Sequence, residues 1–151
     1  NGCICVLGRA HTNVHMRNNE LMVWQVFLTL KKGFGVRTLD RIPSGELIIE
    51  YAGEIVSHDE LERREEGYYD GRGPTVNGSY IFQPSGTRWA LDATEVGNVA
   101  RFINHACGSS INVKVETFHP PSWDAAMPTL LLLRARDDIE PGVELAYDYR
   151  Q

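Results

Sequence analysis

Asn104 and His105 stand next to each other in Arg101-Phe102-Ile103-Asn104-His105-Ala106-Cys107 and put several hydrogen-bond donors and acceptors into a short space. Such a pair suits an adenine edge or an amino-acid carboxylate; it equally suits a helix C-terminus with a satisfied histidine and a buried cysteine. Lys32-Gly33-Phe34-Gly35 holds a GxG, where the lack of Cβ lets a cofactor approach the backbone. An ordinary β-turn has the same signature. The motif is too short for a dinucleotide fingerprint and runs into strand-like residues rather than a helix. In Glu144-Leu145-Ala146-Tyr147-Asp148-Tyr149 two tyrosines stand two apart, on one face of a strand. With Tyr51 and Tyr80 they form a set of hydroxyls near expected strand ends. Those hydroxyls could line a narrow channel and hydrogen-bond an amine, or sit at the surface of ordinary β packing.

Strands and turns must position these side chains. Residues 21–30, rich in Val, Phe, Trp and Leu, predict a strand; Lys31-Lys32-Gly33 turns into a second at 34–39. Pro43-Ser44-Gly45 leads into a third at 46–52. Ser57-His58-Asp59-Glu60 has capping-box spacing and opens a charged helix that Gly67 is expected to end, ahead of a loop over 67–78. Residues 80–83 and 89–92 flank Pro84-Ser85-Gly86 as a hairpin, and 98–104 form a short helical turn. Strands near 112–118 and 129–135 are separated by the Pro-rich loop 119–128, and Pro141-Gly142 turns into a last strand at 143–149.

At 151 residues, 42% apolar and 23% charged, the chain is expected to be one globular domain. The apolar run 130–133 is far too short to cross a bilayer, and no signal pattern precedes the fold, so no membrane is expected as a partner. A formal charge of −5 disfavours direct binding to a nucleic-acid backbone and favours a basic peptide. Cys3 and Cys5 are too close for an ordinary disulfide and Cys107 lies far away, which fits an intracellular protein or metal ligation.

In order, KGFG at 32–35, EYAGE at 50–54, SYIF at 79–82, RFINHAC at 101–107 and ELAYDY at 144–149 together resemble the SET-domain family of protein lysine methyltransferases. The resemblance covers roughly residues 21–149, and RFINHAC followed by ELAYDY is its most specific part. Residues 13–54 are most similar to the Su(var)-type histone methyltransferases, including the SET protein fused to a mariner transposase. The resemblance implies a mostly β (α+β) domain of small curved sheets with short helices and a C-terminal pseudoknot in which the two motif segments lie together. It implies S-adenosylmethionine as methyl donor, a lysine of a histone tail (on H3) as acceptor, and a nuclear, chromatin-associated setting. By the same resemblance Lys32, Gly33 and Phe34 meet the cofactor largely through backbone, and Tyr80, Arg101, Phe102, Asn104 and His105 complete its pocket. Tyr149 matches the family's catalytic tyrosine and Tyr51 a second tyrosine of the lysine channel. Tyr147 matches the position that sets how many methyl groups are added, where tyrosine favours one or two.

Methyl transfer from a sulfonium to an amine is an in-line displacement, and the lysine must arrive neutral. Its reference pKa is about 10.4, so a desolvated channel lowers the cost of deprotonation, and no strong base is needed if the proton leaves to water first. Orientation and electrostatics are then the protein's contribution.

The sequence departs from the Su(var) pattern at both ends. Those proteins carry a cysteine-rich zinc cluster before the domain and three cysteines after it. Residues 1–20 are expected to be a remnant of the first and 21–151 the SET domain, with the post-SET segment absent. Cys3, Cys5 and His11, the last in what looks like a cysteine's place, are candidate zinc ligands that need a fourth, such as His15. Cys107 matches the residue that shares zinc with the post-SET cysteines, and Ala106 stands where serine is common. Intact Tyr149, Asn104 and His105 point to an active enzyme. The expected lack of a C-terminal segment points instead to a silent SET module that binds a histone tail or partner. A methyltransferase for a non-histone lysine is the third reading, because substrate choice lies in loops such as 67–78 and 119–128.

Overall fold

The computed structural model describes residues 11–17, 20–69, 80–84, 86–121 and 129–150. In chain order its strands are β1 (His11–Arg17), β2 (Glu20–Leu28), β3 (Phe34–Thr38), β4 (Leu47–Glu50) and β5 (Gly53–Ser57). After helix α1 (His58–Tyr69) come β6 (Ile81–Phe82), β7 (Trp89–Gly97), β8 (Asn104–His105), β9 (Val113–Phe118), β10 (Leu130–Ala135) and β11 (Ala146–Tyr147). The residues group into two units: Asn1–Ile48 with Phe102–Val115 and Leu133–Arg150, and Ile49–Arg101 with Glu116–Leu132. The expected mostly β architecture, several small sheets and a short helix, is what forms.

In the first unit, β1, β2 and β3 make an antiparallel sheet, with Val14 opposite Val23 and Val26 opposite Val36. Met22, Trp24 and Val26 are buried, the period-two alternation of a half-buried strand. The β2–β3 turn forms where Lys31-Lys32-Gly33 predicts it. Thr29 N–H donates to Gly33 O at 2.7 Å, Lys32 N–H donates to Thr29 Oγ1 at 2.8 Å, and Gly33 takes φ +72°. Pro43-Ser44-Gly45 and Pro141-Gly142 both make the expected turns, with Gly45 at φ +80° and Gly142 at φ +85° in the third position, as a type II turn requires.

The expected strand over 143–149 is corrected to Ala146–Tyr147, and the expected helical turn over 98–104 to a 3₁₀ turn at Val99–Phe102 followed by β8. Tertiary pairing explains both. β8 and β11 run parallel, Asn104 beside Ala146 and Tyr147 beside His105, and Ala106 N–H donates to Tyr147 O at 3.0 Å. The RFINHAC and ELAYDY segments therefore lie together, as expected.

In the second unit, β5, β7 and β6 form an antiparallel sheet in the order β5-β7-β6, and the hairpin expected around Pro84-Ser85-Gly86 is its β6–β7 arm. A third sheet, not confined to this unit, has the order β4-β10-β9, with Leu131, Leu133 and Ala135 of β10 fully buried in alternation. The strand expected over 46–52 forms as β4 but ends at Glu50, and β5 follows as a separate strand. Asn98 takes up the backbone at the break: its Nδ2 donates to Glu50 O at 2.7 Å and its Oδ1 accepts from Ala52 N–H at 3.5 Å. Ser57 caps α1 by accepting Glu60 N–H at 3.3 Å. The helix passes through Gly67 to Tyr69, correcting the expected end. Glycine costs about 1 kcal/mol inside a helix but stops one only in the left-handed conformation, which Gly67 does not adopt. Val56, Leu61 and Ala90, with Ile81 against them, pack α1 onto this sheet.

Candidate active site

The first unit assembles Lys32, Gly33, Phe34, Phe102, Asn104, His105, Tyr147 and Tyr149. Asn104 Nδ2 donates to Phe34 O at 3.1 Å and to Glu144 Oε1 at 2.9 Å. A carbonyl and a carboxylate can only accept, so the amide orientation is settled and Oδ1 is the outward group. Oδ1 has no hydrogen-bond partner among the described residues and suits a ligand's N–H. Gly35 makes this possible, since a Cβ there would lie 3.1 Å from both Asn104 Nδ2 and Glu144 Oε1. The two glycines of GxG thus have different reasons to exist: Gly33 for its left-handed φ, Gly35 for close packing.

His105 works inward. Its Nδ1 accepts Tyr149 N–H at 3.1 Å, which places the ring proton on Nε2, 3.0 Å from Cys107 Sγ. Its carbonyl accepts from Lys32 Nζ at 3.1 Å. The ring therefore holds Tyr149, rather than offering the free polar edge that the sequence suggests. Tyr149 donates its hydroxyl proton to Ile103 O at 2.8 Å and packs its ring 5.3 Å from His105 and 4.8 Å from Tyr147. Tyr147 is buried whereas Tyr149 is 53% exposed, so of the two the second is open to an incoming group. Hydrogen bonds from the Arg150 side chain and backbone hold the Asp148 carboxyl below the usual carboxylate range. Phe34 and Phe102 meet edge to face at 5.6 Å.

The second unit assembles Tyr51, Tyr80 and Arg101. Tyr51 donates its hydroxyl proton to Tyr80 O at 3.0 Å and packs against Phe82, 5.4 Å between ring centres. The Arg101 guanidinium lies 5.3 Å from the centre of the Tyr80 ring and donates to Ala93 O at 2.8 Å.

A cavity of about 580 Å³ in the first unit is lined by Lys32, Asn112, Glu140 and Glu144 among others, and of the candidate cofactor residues only Lys32 reaches it. Cys3 and Cys5 lie outside the described residues, and His11 stands opposite Val26 at the end of β1. Among the described residues no three His, Cys, Asp or Glu side chains lie close enough to hold a metal, and exposed Cys107 has only His105 and Arg150 beside its sulfur. No zinc site therefore forms among the described residues, and no step is assigned to a metal.

Sequence reasoning missed Glu144, which fixes Asn104, and Asn112, whose Nδ2 donates to Glu144 O at 2.8 Å and whose Oδ1 accepts Ala146 N–H at 2.9 Å. An asparagine just after RFINHAC was the available signal. Asp92 and Arg64 were missed as well.

Paired RFINHAC and ELAYDY segments, a glycine cradle and tyrosines on backbone carbonyls define a methyl-transfer domain of the SET class. Residues 33–150 match the SET domain model, and the chain belongs to this family. It is 35% identical over 148 residues to mouse histone-lysine N-methyltransferase SETMAR, covering 97% of this chain and 46% of that protein. It is 35% identical over 121 residues to histone-lysine N-methyltransferase SUV39H2 of Xenopus tropicalis, covering 79% of this chain and 28% of that one. The crystal structure of the human SETMAR methyltransferase domain superposes with a TM-score of 0.69 at 37% identity, covering 83% of this chain and 44% of the other. KRYPTONITE in complex with mCHH DNA, an H3(1-15) peptide and SAH gives 0.66 at 32%, covering 90% and 24%. The chain therefore spans under half the length of these relatives.

Proposed function

We propose that this domain transfers a methyl group from S-adenosylmethionine to a lysine of a histone tail, on H3, and stops at one or two methyls. One observation carries the reading: the hydroxyls of Tyr149 and Tyr51 each commit their proton to a backbone carbonyl, Ile103 O and Tyr80 O. A hydroxyl so committed has only acceptor capacity left, which suits an amine N–H or a methyl carrying partial positive charge. Asn104 Oδ1 and the backbone at Lys32, Gly33 and Phe34 would hold the cofactor, which supplies the activated methyl when bound. His105 fixes Tyr149 through its backbone N–H, and the ring of Tyr147 closes off space beside it.

The H3 tail rests on SETMAR and SUV39H2 being histone-lysine methyltransferases and on KRYPTONITE binding an H3(1-15) peptide. A nuclear, chromatin-associated setting follows from that substrate. Among the described residues no helix is long and apolar enough to cross a membrane. Mono- or dimethylation rests on Tyr147, 4% exposed and 4.8 Å from the Tyr149 ring, where added bulk on the amine meets a filled space. Mass spectrometry of an H3 tail peptide after exhaustive reaction tests the whole reading. Mono- and dimethyl-lysine are expected, with Tyr147→Phe shifting product toward trimethyl; dominant trimethylation by the wild type rules out the limit, and no transfer to any histone-tail peptide rules out the activity.

A further inference from the structure

β7 is not a plain strand. Glu54 lies opposite Asp92, yet the preceding Gly53 lies opposite Gly97, so Ala93 to Val96 bulge out between them. Glycines close the bulge on both sides: a Cβ at Gly53 would lie 2.9 Å from Asp92 backbone atoms, and one at Gly97 would lie 2.7 Å from Ala93 Cβ. Two hydrogen bonds that hold the Tyr80 backbone come from this bulge. Thr94 Oγ1 accepts Tyr80 N–H at 3.2 Å, and Ala93 N–H donates to Tyr80 O at 2.9 Å. Arg101, stacked on the Tyr80 ring, donates to the carbonyls of Ala93 and Thr94 at 2.8 and 3.3 Å.

At the base of the bulge sits Asp92, 0% exposed. An isolated buried carboxylate is costly, and this one is offset by hydrogen bonds that include Thr94 and Arg64. Its Oδ1 accepts Thr94 N–H at 3.0 Å and its Oδ2 accepts Arg64 Nη1 at 2.8 Å. Arg64 also donates to Glu54 at 3.0 Å and Glu60 at 2.8 Å, and its hydrogen bonds to these acids hold it firmly protonated. A core strand that only packed would place an apolar residue at this position. An ionic group in the interior is hard to justify on stability, because well-packed apolar residues often do as well. What Asp92 adds is a directed bond to one bulge amide.

We propose that Asp92 is a positioning residue for methyl transfer, setting the Tyr80 backbone through Thr94 and the Tyr51 hydroxyl through Tyr80. The role rests on the methyltransferase reading above. The relay runs Arg64, Asp92, Thr94, Tyr80, Tyr51, with a hydrogen bond at every link. None of Arg64, Asp92 or Thr94 needs to touch substrate. A displacement of about 1 Å at a positioned group can cost on the order of a hundredfold in rate, so a lost link shows in kcat before it shows in folding.

The test uses the full chain with S-adenosylmethionine and an H3 tail peptide, and two readouts. Asp92→Asn keeps an acceptor for Thr94 but turns a donor toward Arg64. Should that variant fail to fold, Thr94→Val removes only the acceptor for Tyr80 N–H, at nearly constant volume, and Thr94→Ser restores it. For Thr94→Val, kcat is expected to fall about 10- to 100-fold, with KM for the peptide little changed, the melting curve near wild type, and faster exchange of the Tyr80 amide. Thr94→Ser is expected to recover both kcat and protection. Wild-type kcat in Thr94→Val, or a Tyr80 amide still protected there, overturns the proposal. A wild type that methylates no histone-tail peptide overturns the functional reading and this role with it, while Tyr80 exchange still reports whether the linkage itself stands.

Discussion

Tyr149 shows how little of a residue's work its type reveals. Two of its groups are already taken: N–H by His105 Nδ1 and the hydroxyl proton by Ile103 O. With its proton so directed, the hydroxyl can meet a substrate only as an acceptor. Tyr149→Phe deletes that acceptor while leaving the backbone bond to His105 and the ring contacts with His105 and Tyr147 in place. Methyl transfer is expected to fall by about a hundredfold or more, the loss typical of removing one positioned polar group at a reacting centre. S-adenosylmethionine affinity, measured by calorimetry, should stay within about twofold, because no cofactor role is assigned to the hydroxyl. Wild-type turnover in the variant would remove Tyr149 from the chemistry.

At the scale of elements, period-two alternation and turn residues were legible: β2, β3, β10, the β6–β7 hairpin and four turns fall where the sequence puts them. Breaks were not legible, because their causes lie far along the chain. β4 stops at Glu50 owing to Asn98, 48 residues later, and β11 is short because the strand it pairs with among the described residues is the two-residue Asn104-His105. The GxG turn is a case where residue type was readable and reason was not. Gly33→Ala meets nothing within 4 Å but forces a left-handed φ, so it is expected to cost about 1–2 kcal/mol of stability with cofactor affinity nearly kept. Gly35→Ala crowds Asn104 and Glu144 instead, so affinity should fall by about tenfold or more with a smaller loss of Tm. Paired melting and calorimetry curves decide this, and equal behaviour of the two variants would contradict it. In α1, hydrogen bonds from Arg63 and Arg64 lower the Glu60 pKa from 4.5 to about 2. A depressed carboxyl stabilises the fold above its unfolded pKa, and the contribution fades as pH falls from about 4.5 toward 2. Glu60 is well solvated, so the effect on stability is small and the check is spectroscopic. A carbon-detected titration should find Glu60 still ionised at pH 3.5, and a midpoint near 4.5 would mean the arginine contacts do not persist in solution.

For the whole molecule, the family signature pointed to the residues proposed to carry chemistry, since RFINHAC and ELAYDY are contiguous in sequence. Their supports, Glu144 for Asn104 and Asp92 for Thr94, are ordinary acids in sequence and acquire meaning only from partners brought in by the fold. Net charge is the one global property readable without a fold. At −5, with Asp137, Asp138, Glu140 and Glu144 around the cavity of the first unit, the domain presents a field that favours a basic peptide. Some of those acids are already paired, Asp138 with Arg41 and the Ser44 amide among them, so the attraction is long-range rather than a set of fixed contacts. Long-range attraction is screened over about 8 Å at physiological ionic strength and over about 3 Å in 1 M salt. It acts on encounter, not on the bound complex, so it belongs in kcat/KM for the peptide and not in kcat. Raising salt from about 0.02 to 0.5 M is therefore expected to lower kcat/KM for an H3 tail peptide by about tenfold while kcat moves less than twofold. The cofactor, small and weakly charged beside a tail rich in lysine and arginine, should show a much flatter dependence. Steady-state kinetics across a salt series separates the cases. A flat kcat/KM would mean that the overall negative charge plays no part in capturing substrate, and that recognition lies wholly in short-range contacts.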